Sequence, residues 1–220
     1  MTTFKSLLCL SAVSVMMAGP AFAGTITQSA TIGNQATELT NVPFTGIADY
    51  NGGFVLQSVE LIVTGTGSTT IGATNNAITS QNFTATTNVA LSLTAPGAGT
   101  NHSLFGLVGS TGAQTLAGGA SASYGPITLS ASGSYDATFT DSTTLAAFTG
   151  AGNVSASLST LSSLGVSGGG GNIAVNQSTV AGGTFEVIYT YGTGVPEPFS
   201  MALLGTGLVG LGIARIRRRK

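Results

Sequence analysis

The chain has 220 residues, among them 33 glycines, one cysteine, one histidine and no tryptophan. The six basic residues are Lys5 and five residues of a C-terminal cluster. Six of the seven acids lie within residues 24–194, and the seventh is Glu197. Residues 24–194 therefore contain acids but no lysine or arginine. This composition excludes charge-driven binding to nucleic acid, and because Cys9 is the only cysteine, the segment cannot form disulfides.

The first 23 residues have the three parts of a secretory signal peptide. Lys5 supplies a short charged start, residues 6–17 are mostly apolar, and the segment ends in the Ala-x-Ala pattern of Ala21 and Ala23. We therefore expect a signal peptide at 1–23, cut by signal peptidase between Ala23 and Gly24, and export through the inner membrane. Cys9 lies within the apolar part, which argues against lipid attachment.

Four segments of the exported part are predicted strands. Residues 83–94 alternate strictly between apolar and polar side chains, and residues 127–139 do the same over an unusual length, with a bend or bulge expected at Gly133. Residues 54–63 are almost continuously apolar, which predicts a strand buried on both faces. In residues 184–191 the side chains expected to face inward are Phe185, Val187, Tyr189 and Tyr191.

Weaker strand candidates lie at 26–32, 103–108, 154–161 and 173–178, separated by glycine-rich turns. Residues 141–148 form the one predicted helical turn, with Asp141 or Ser142 as its N-cap. Many short strands between glycine-rich turns predict an all-β domain at 24–194, an antiparallel β-sandwich with a jelly-roll-like layout.

Few residues in this domain could carry chemistry. His102 is the only histidine, lies in a predicted loop and cannot alone complete a Ser-His-acid triad or a multi-histidine metal site. We expect no catalytic residue, no cofactor and no metal ligand, although scattered acids could converge on calcium in the fold. Asp136 and Asp141 are the two carboxylates that a glycosidase would use, but without a tryptophan to stack on sugar this alternative ranks third.

Residues 195–220 have a tripartite layout. Val195-Pro196-Glu197-Pro198 precedes an uncharged apolar run at 199–214, which is followed by a basic cluster of Arg215, Arg217, Arg218, Arg219 and Lys220. As a single apolar helix the run would span about 24 Å, less than the roughly 30 Å of a bilayer core. It therefore predicts a transient membrane anchor whose basic end stays on the cytoplasmic side.

The apolar run also contains the pattern G-x-G-x-x-G at residues 205–210. No βαβ unit surrounds it, so dinucleotide binding is not indicated. The small residues instead have the spacing of a helix that packs closely against another helix. The other helix would belong to a processing enzyme; in the alternative interpretation the small residues simply face lipid.

This tail resembles the PEP-CTERM sorting signals that exosortases read in Gram-negative bacteria making extracellular polysaccharide. The body is similar to choice-of-anchor ectodomains, most nearly type E, in residues 138–141 (TFTD), 145–150 (LAAFTG), the glycine-rich stretch 168–172 and the pair Thr190-Tyr191. The resemblance implies a sorting motif at Pro196, Glu197 and Pro198 and an exosortase-like membrane enzyme as partner. It implies no functional residue in the body.

These features predict a non-enzymatic exported protein that ends at the cell surface or in the extracellular matrix. Its expected role is structural, in association with exopolysaccharide. The alternative is a carbohydrate-binding or adhesive surface module, because rows of Thr, Ser and Asn suit both hydrogen bonding to sugars and association between strands.

Overall fold

The computed structural model describes residues 23–192, which form eleven strands, one α-helix and one 3₁₀ turn at Gly169–Gly171. The elements are β1 (Ala23–Ala36), β2 (Val42–Phe44), β3 (Val55–Asn75), β4 (Gln81–Ala95), β5 (Gly99–Ser110), β6 (Gln114–Leu116), β7 (Ser121–Thr128), β8 (Ser130–Ala131), β9 (Tyr135–Phe139), α1 (Ser142–Ala147), β10 (Ala156–Gly168) and β11 (Ile173–Gly192). The predicted signal peptide, sorting motif, apolar helix and basic cluster lie outside the described residues. Within residues 23–192, no helix has the length and apolar character that crossing a membrane requires.

The strands form two antiparallel sheets. Sheet A has the order β1-β11-β3-β7, and β9 also pairs with β3, whereas sheet B has the order β2-β10-β4-β5-β8, and β6 also pairs with β4. The ladder between β3, which has 21 residues, and β11, which has 20, is the longest, at about 70 Å for a rise of about 3.3 Å per residue. The predicted all-β sandwich is confirmed.

The connectivity is that of a jelly roll. Starting from the β4–β5 hairpin and moving outward in both directions, the chain pairs β4 with β5, β3 with β7 and β9, β2 with β10, and β1 with β11, all antiparallel. The successive pairs lie alternately in sheet B and sheet A. This nested arrangement of one long folded hairpin across two sheets is the jelly-roll layout that the sequence predicted.

Most of the predicted strands are present, and several are longer than expected. In β4, Phe83, Ala85, Val89, Leu91 and Leu93 are buried, as the alternation of residues 83–94 predicted. The candidates at 26–32, 103–108 and 154–161 fall mainly within β1, β5 and β10, while 173–178 and 184–191 join into β11. The predicted helical turn is α1, and the Asp141 carboxylate caps it by accepting a 2.8 Å hydrogen bond from the Thr144 amide.

The single strand predicted at 127–139 is wrong. The segment instead crosses between the sheets. Ile127 lies near the end of β7 in sheet A, and Leu129 is buried between the two sheets. The chain then pairs with β5 of sheet B as β8 and returns to sheet A as β9. Gly133 lies between β8 and β9 rather than at a bulge within one strand. Odd-numbered positions face inward before and after the crossing, at Leu129 and at Tyr135, but residues 130–134 between them are all exposed, so the alternation in the sequence did not reveal the break.

The strand predicted at 54–63 exists but is not buried on both faces. It begins at Val55, which is 64% exposed, and only the face with Leu56, Val59, Leu61 and Val63 is buried. The register of β3 against β11 shifts between Thr190 and Tyr191, which places one extra residue, Gln57, in β3. This bulge is why the buried positions change from even to odd numbers.

Two clusters of buried side chains fill the space between the sheets. The larger, called here the aromatic core, includes Phe44, Tyr50, Phe148, Phe185 and Tyr189. The smaller, called here the small core, consists of Ile71, Ala73, Phe83, Ala85 and Leu116. The two cores lie toward opposite ends of the β3–β11 ladder.

Candidate binding groove and surface hydroxyl rows

Aromatic rings stack at the end of the domain where the described chain begins and ends. The ring of Tyr191 stacks on Phe54, with centroids 5.8 Å apart at 15°, and on Tyr50, with centroids 5.6 Å apart at 30°. Phe54 is 48% exposed, so one face of this stack is open to solvent. Val55 pairs with Gly192 and Ala23 pairs with Gly192 as well, which places the stack beside both ends of the domain.

A groove of about 530 Å³ runs beside this stack. Its walls come from the segment before β3, from the start of β3 and from α1, and the lining residues are Tyr50, Gly52, Phe54, Val55, Leu56, Ser142, Leu145, Ala146 and Thr149. None of these is charged. The Tyr50 and Thr149 hydroxyls donate to the carbonyls of Phe54, at 3.0 Å, and Leu145, at 2.8 Å. Both hydroxyl protons are therefore used within the protein, and these two oxygens could only accept hydrogen bonds from a ligand. A largely apolar groove without charge suits an uncharged ligand with apolar faces.

The backbone around Tyr50 holds its ring in place. The Tyr50 amide donates to the Phe148 carbonyl at 2.8 Å, and the Gly150 amide donates back to the Tyr50 carbonyl at 3.0 Å. These bonds tie the segment before β3 to the segment after α1. Tyr50 and Thr149 form an isolated bridge outside the strands, so no periodic pattern in the sequence predicts this pairing.

Beneath the groove, one carboxylate lies close to a buried phenol. The Tyr189 hydroxyl donates to the Ala48 carbonyl at 2.9 Å, and burial, with a smaller contribution from the Asp49 charge, raises the pKa of Tyr189 to about 12. Asp49 Oδ1 is buried without a hydrogen-bond partner among the described residues, and Oδ2 lies 2.9 Å from where a Cβ would sit on Gly152. Tyr189 therefore remains protonated at neutral pH and acts as a donor to the backbone.

The outer face of sheet A carries in-register rows of hydroxyl groups. Thr31, Thr184 and Thr64 are directly paired neighbours on β1, β11 and β3, and the Thr31 and Thr184 hydroxyls are 3.0 Å apart. A second hydroxyl pair, Thr74 with Ser121, is 2.8 Å apart near the other end of the sheet. These rows resulted from the alternation that the sequence showed, but their alignment across strands depends on the register.

A shallow depression of about 280 Å³ lies at that other end, lined by Gly72, Ala73, Thr74, Ser121, Ala122, Ala174, Val175 and Asn176. The Asn176 side chain crosses it and accepts a 3.1 Å hydrogen bond from the Gly72 amide. The polar groups of this depression are therefore partly used within the protein.

Three acids lie on the outer face of sheet A. Glu60 on β3 is adjacent to Asp136 on β9 and to Glu186 on β11, because the register pairs Glu60 with Thr138 and with Ile188. Partial burial, the charge of Asp136, a hydrogen bond with Asp136 and the charge of Glu186 together raise the pKa of Glu60. Within the described residues, no group of three or more His, Cys, Asp or Glu side chains has the arrangement of a metal site.

Asp136 and Asp141, the two carboxylates weighed for a glycosidase, occupy different settings. Asp136 is exposed beside Glu60, whereas Asp141 caps α1, and the Thr144 hydrogen bonds lower the pKa of Asp141. A general acid needs a raised pKa, so the environment of Asp141 is unsuited to that role. Neither residue lines either depression.

His102 was expected in a loop, and this expectation is wrong. It lies in β5 and its ring packs edge-on against Tyr135, with centroids 5.2 Å apart at 62°. Its side chain is exposed, as predicted.

Of the predicted processing residues, only those of signal cleavage are described. Ala23 and Gly24 form the start of β1, where they pair with Gly192 and Tyr191. Residues 196–198 of the sorting motif and the basic cluster at 215–220 lie outside the described part of the chain.

No protein-family model and no curated protein sequence matches the chain. Among solved structures, the T13 particle of IBDV is similar at 11% identity over 77% of this chain, with a TM-score of 0.17. A mud crab tombus-like virus structure is similar at 9% identity over 92% of this chain and 96% of the viral chain, with a TM-score of 0.17. The chain spans 40% of the IBDV chain, and TM-scores this low show neither a common fold nor a common function.

Proposed function

We propose that the chain is an exported protein that an exosortase-like membrane enzyme sorts to the cell surface or the extracellular matrix. The observation that carries this proposal is the layout of residues 195–220, in which a Pro-Glu-Pro motif, an apolar run and a basic cluster follow an export signal at 1–23.

Mass spectrometry of the surface fraction tests the sorting step. In a host with an exosortase, the mature protein should begin at Gly24 and end near Pro196, Glu197 or Pro198. The same chain in a host without the exosortase should keep its C-terminus through Lys220. Recovery of intact Lys220 from the surface of the exosortase host would contradict the proposal. Glu197→Ala removes the acid of the motif and should leave the C-terminus intact through Lys220. Glu38→Ala changes an acid far from the tail in sequence; it is the matched control and should not alter processing.

The proposed role of the body is structural, in association with exopolysaccharide. Its support is a surface that has hydroxyl rows and few charges, all of them negative within residues 24–194. Such a body cannot bind an acidic polymer through ion pairs, so attachment must use hydrogen bonds, bridging divalent cations or strand association.

Salt and chelator separate these modes of attachment. Binding of the mature protein to the producer's own polysaccharide should persist as monovalent salt rises, whereas cation bridging would be lost when a chelator removes calcium. A mature protein that ignores the polysaccharide but hydrolyses a glycan would contradict the structural role.

The alternative, a carbohydrate-binding module, is favoured by the groove beside Phe54 and Tyr191. A sugar ring could stack on the open face of Phe54, and stacking on aromatic rings is a common mode of apolar recognition. Phe54→Ala should then weaken binding to a neutral oligosaccharide about tenfold or more. Ile78→Ala is the matched control, since Ile78 is 99% exposed and outside the groove. Equal binding by both variants would remove the groove from consideration.

A further inference from the structure

One edge of sheet A differs from every other sheet edge in the described domain. β1 is the terminal strand of the sheet, and β11 pairs with only one of its sides. Among residues 23–192 no other strand pairs with its outer side. The strand has 14 residues, with neither a charged residue nor a proline, and its pairing with β11 is regular from Ala23 to Ile32, before a register shift between Ile32 and Gln35. A long uncharged edge strand is the arrangement that proteins normally avoid, because its free amides and carbonyls can pair with another strand.

The first half of the outer edge of β10 in sheet B is blocked. β2 pairs with its first residues, and beyond them the Leu39 amide donates to the Thr160 hydroxyl at 2.9 Å while the Thr160 amide donates to the Leu39 carbonyl at 3.0 Å. Further along, the Ser162 amide donates to the Glu38 carboxylate at 3.3 Å. A crossing segment and a carboxylate therefore occupy the positions that a second strand would need along the first half of β10, up to Ser162, and only the short remainder to Gly168 is open.

The opposite edge of sheet A is interrupted. β7 contains Pro126, which lacks an amide hydrogen, and the chain leaves the sheet before β9 begins. β9 carries the acid Asp136 on the outer face. On sheet B, the edge of β5 is covered in part by β8 and by the Ser132 amide, which donates to the Gly106 carbonyl at 2.8 Å.

We propose that β1 pairs antiparallel with β1 of a second copy of this chain, about a two-fold axis. An antiparallel pairing of one edge with itself satisfies the free backbone groups of both copies, which is the self-complementarity that an isologous dimer needs. Sheet A would then run without a break from β3 and β11 of one copy, through both β1 strands, to those of the other.

The side chains of β1 support a copy of the same strand as the occupant. Thr25, Thr27, Ser29 and Thr31 face outward, so the hydroxyl row that already links Thr31 to Thr184 would continue across the axis. Ile26, on the inner side of the strand, is 39% exposed and would gain cover from the partner strand. No side-chain charge on either strand opposes the approach, because the acids of sheet A lie on β3, β9 and β11.

This inference rests on the proposed structural role of the body, for which it names the partner and the contact surface. It is tested by sedimentation of the purified mature protein over a range of concentrations. The wild-type protein should be a dimer, and its dissociation constant should change little with monovalent salt, since no ion pair takes part.

Thr27→Lys places two like charges near each other at the axis and should raise the dissociation constant about tenfold or more. Thr64→Lys is the matched control: Thr64 is exposed on the same face but lies on β3, between β11 and the opposite edge, so this variant should dimerise like the wild type. Hydrogen exchange provides a second readout, because amides within residues 25–36 should lose protection on dilution while those of β3 keep it.

A wild-type protein that stays monomeric at all concentrations would overturn the proposal. So would a dimer that Thr27→Lys leaves intact, or one that both lysine variants weaken equally. These outcomes are separate from the sorting test, because tail processing at residues 196–198 is read by mass and not by oligomeric state.

Discussion

The two ends of the sandwich are stabilised in different ways, although β3 and β11 run through both. The aromatic core holds large apolar side chains such as Phe148, Phe185 and Tyr189, all fully buried. Around the small core, in contrast, polar side chains are also buried, including Thr69, Asn75, Thr87 and Thr179. The first end depends on apolar area removed from water, and the second depends on hydrogen bonds between groups that water cannot reach.

The difference follows from the residues available. Because the domain has few aromatic side chains and most lie in the aromatic core, Thr and Asn side chains are also buried at the other end, and their polar atoms must each find a partner. The Thr87 hydroxyl donates to Gln177 Oε1 at 2.8 Å, which links β4 of one sheet to β11 of the other. The hydrogen bonds at this end are directional, and removing one partner leaves the other polar group buried without a hydrogen bond.

The largest effect is expected from truncating the aromatic core. Phe185→Ala removes a fully buried ring that packs on Phe44 with centroids 5.3 Å apart, and should lower the free energy of unfolding by about 4 kcal/mol. Phe83→Ala, in the small core, should cost less, about 3 kcal/mol, because partly exposed neighbours can relax into the space. Urea unfolding of both variants measures the difference. A larger loss of unfolding free energy for Phe83→Ala would show that the small core contributes more to stability than the aromatic core.

The next largest effect concerns Asn75, which organises the polar end. Its Nδ2 lies 2.9 Å from the carbonyls of Thr79 and Leu116 and 3.1 Å from that of Ala117, and its Oδ1 accepts from the Ala77 amide at 2.9 Å. Asn75→Ala leaves these groups without partners and should cost about 2–3 kcal/mol in unfolding free energy.

Two further variants check that Asn75 acts through its amide. Asn75→Asp should be worse than Asn75→Ala, because a carboxylate would face the carbonyl oxygens that the amide now binds. Asn76→Ala, at the exposed neighbouring position, should leave the melting temperature nearly unchanged. Equal effects at positions 75 and 76 would show that the amide contacts do not stabilise this end.

A smaller effect should come from the paired hydroxyls of Thr69 and Thr179, which are 2.8 Å apart and buried between β3 and β11. Thr69→Val leaves the buried Thr179 hydroxyl without its partner and should cost about 1–2 kcal/mol. Thr179→Val should cost less, because the Thr69 hydroxyl still donates to the Ser178 carbonyl at 3.4 Å. The double variant, with two apolar side chains of the same shape, should recover most of that loss. A double-mutant cycle from thermal unfolding measures the coupling, and strictly additive losses would contradict it.

The smallest effect lies on the outer surface, where the comparison between the two cores does not apply. The pKa of Glu60 is raised in the folded protein, so the folded state binds this proton more tightly than the unfolded state, and stability falls as pH rises through that pKa. Glu60→Gln should therefore be slightly more stable than the wild type at pH 7, with the advantage shrinking toward pH 4. Glu38→Gln is the control, because Glu38 contacts Ser162 rather than another acid. A constant difference across the pH range would contradict the assignment.

Local pattern identified which side chains face inward. The alternation in β4 and the capping position of Asp141 follow from geometry within a few consecutive residues, and both are confirmed. The same alternation misled at 127–139, because odd-numbered positions face inward in both β7 and β9, although the residues between the two strands are exposed. Period two therefore reports the face of a residue and not the sheet to which it belongs.

The candidate binding groove was not predicted, although its residues are visible in the sequence. Tyr50 and Phe54 lie before β3, α1 follows β9, and Tyr191 is at the end of β11, so their meeting depends on contacts between distant segments. Asn75 is a similar case. Nothing around it distinguishes a buried asparagine from the exposed Asn76 beside it until the carbonyls of two other segments converge on its amide.

The sequence by itself determined the β class, the turns, the absence of cations from residues 24–194 and the uncharged character of β1. Each of these depends on composition or on neighbouring residues alone. Only the tertiary structure decided that Ala23 pairs with Gly192 and that β1 is an edge. The physical reason is that the amides and carbonyls of a strand can bond to any other strand, so the choice of partner is made by the joint packing of both sheets.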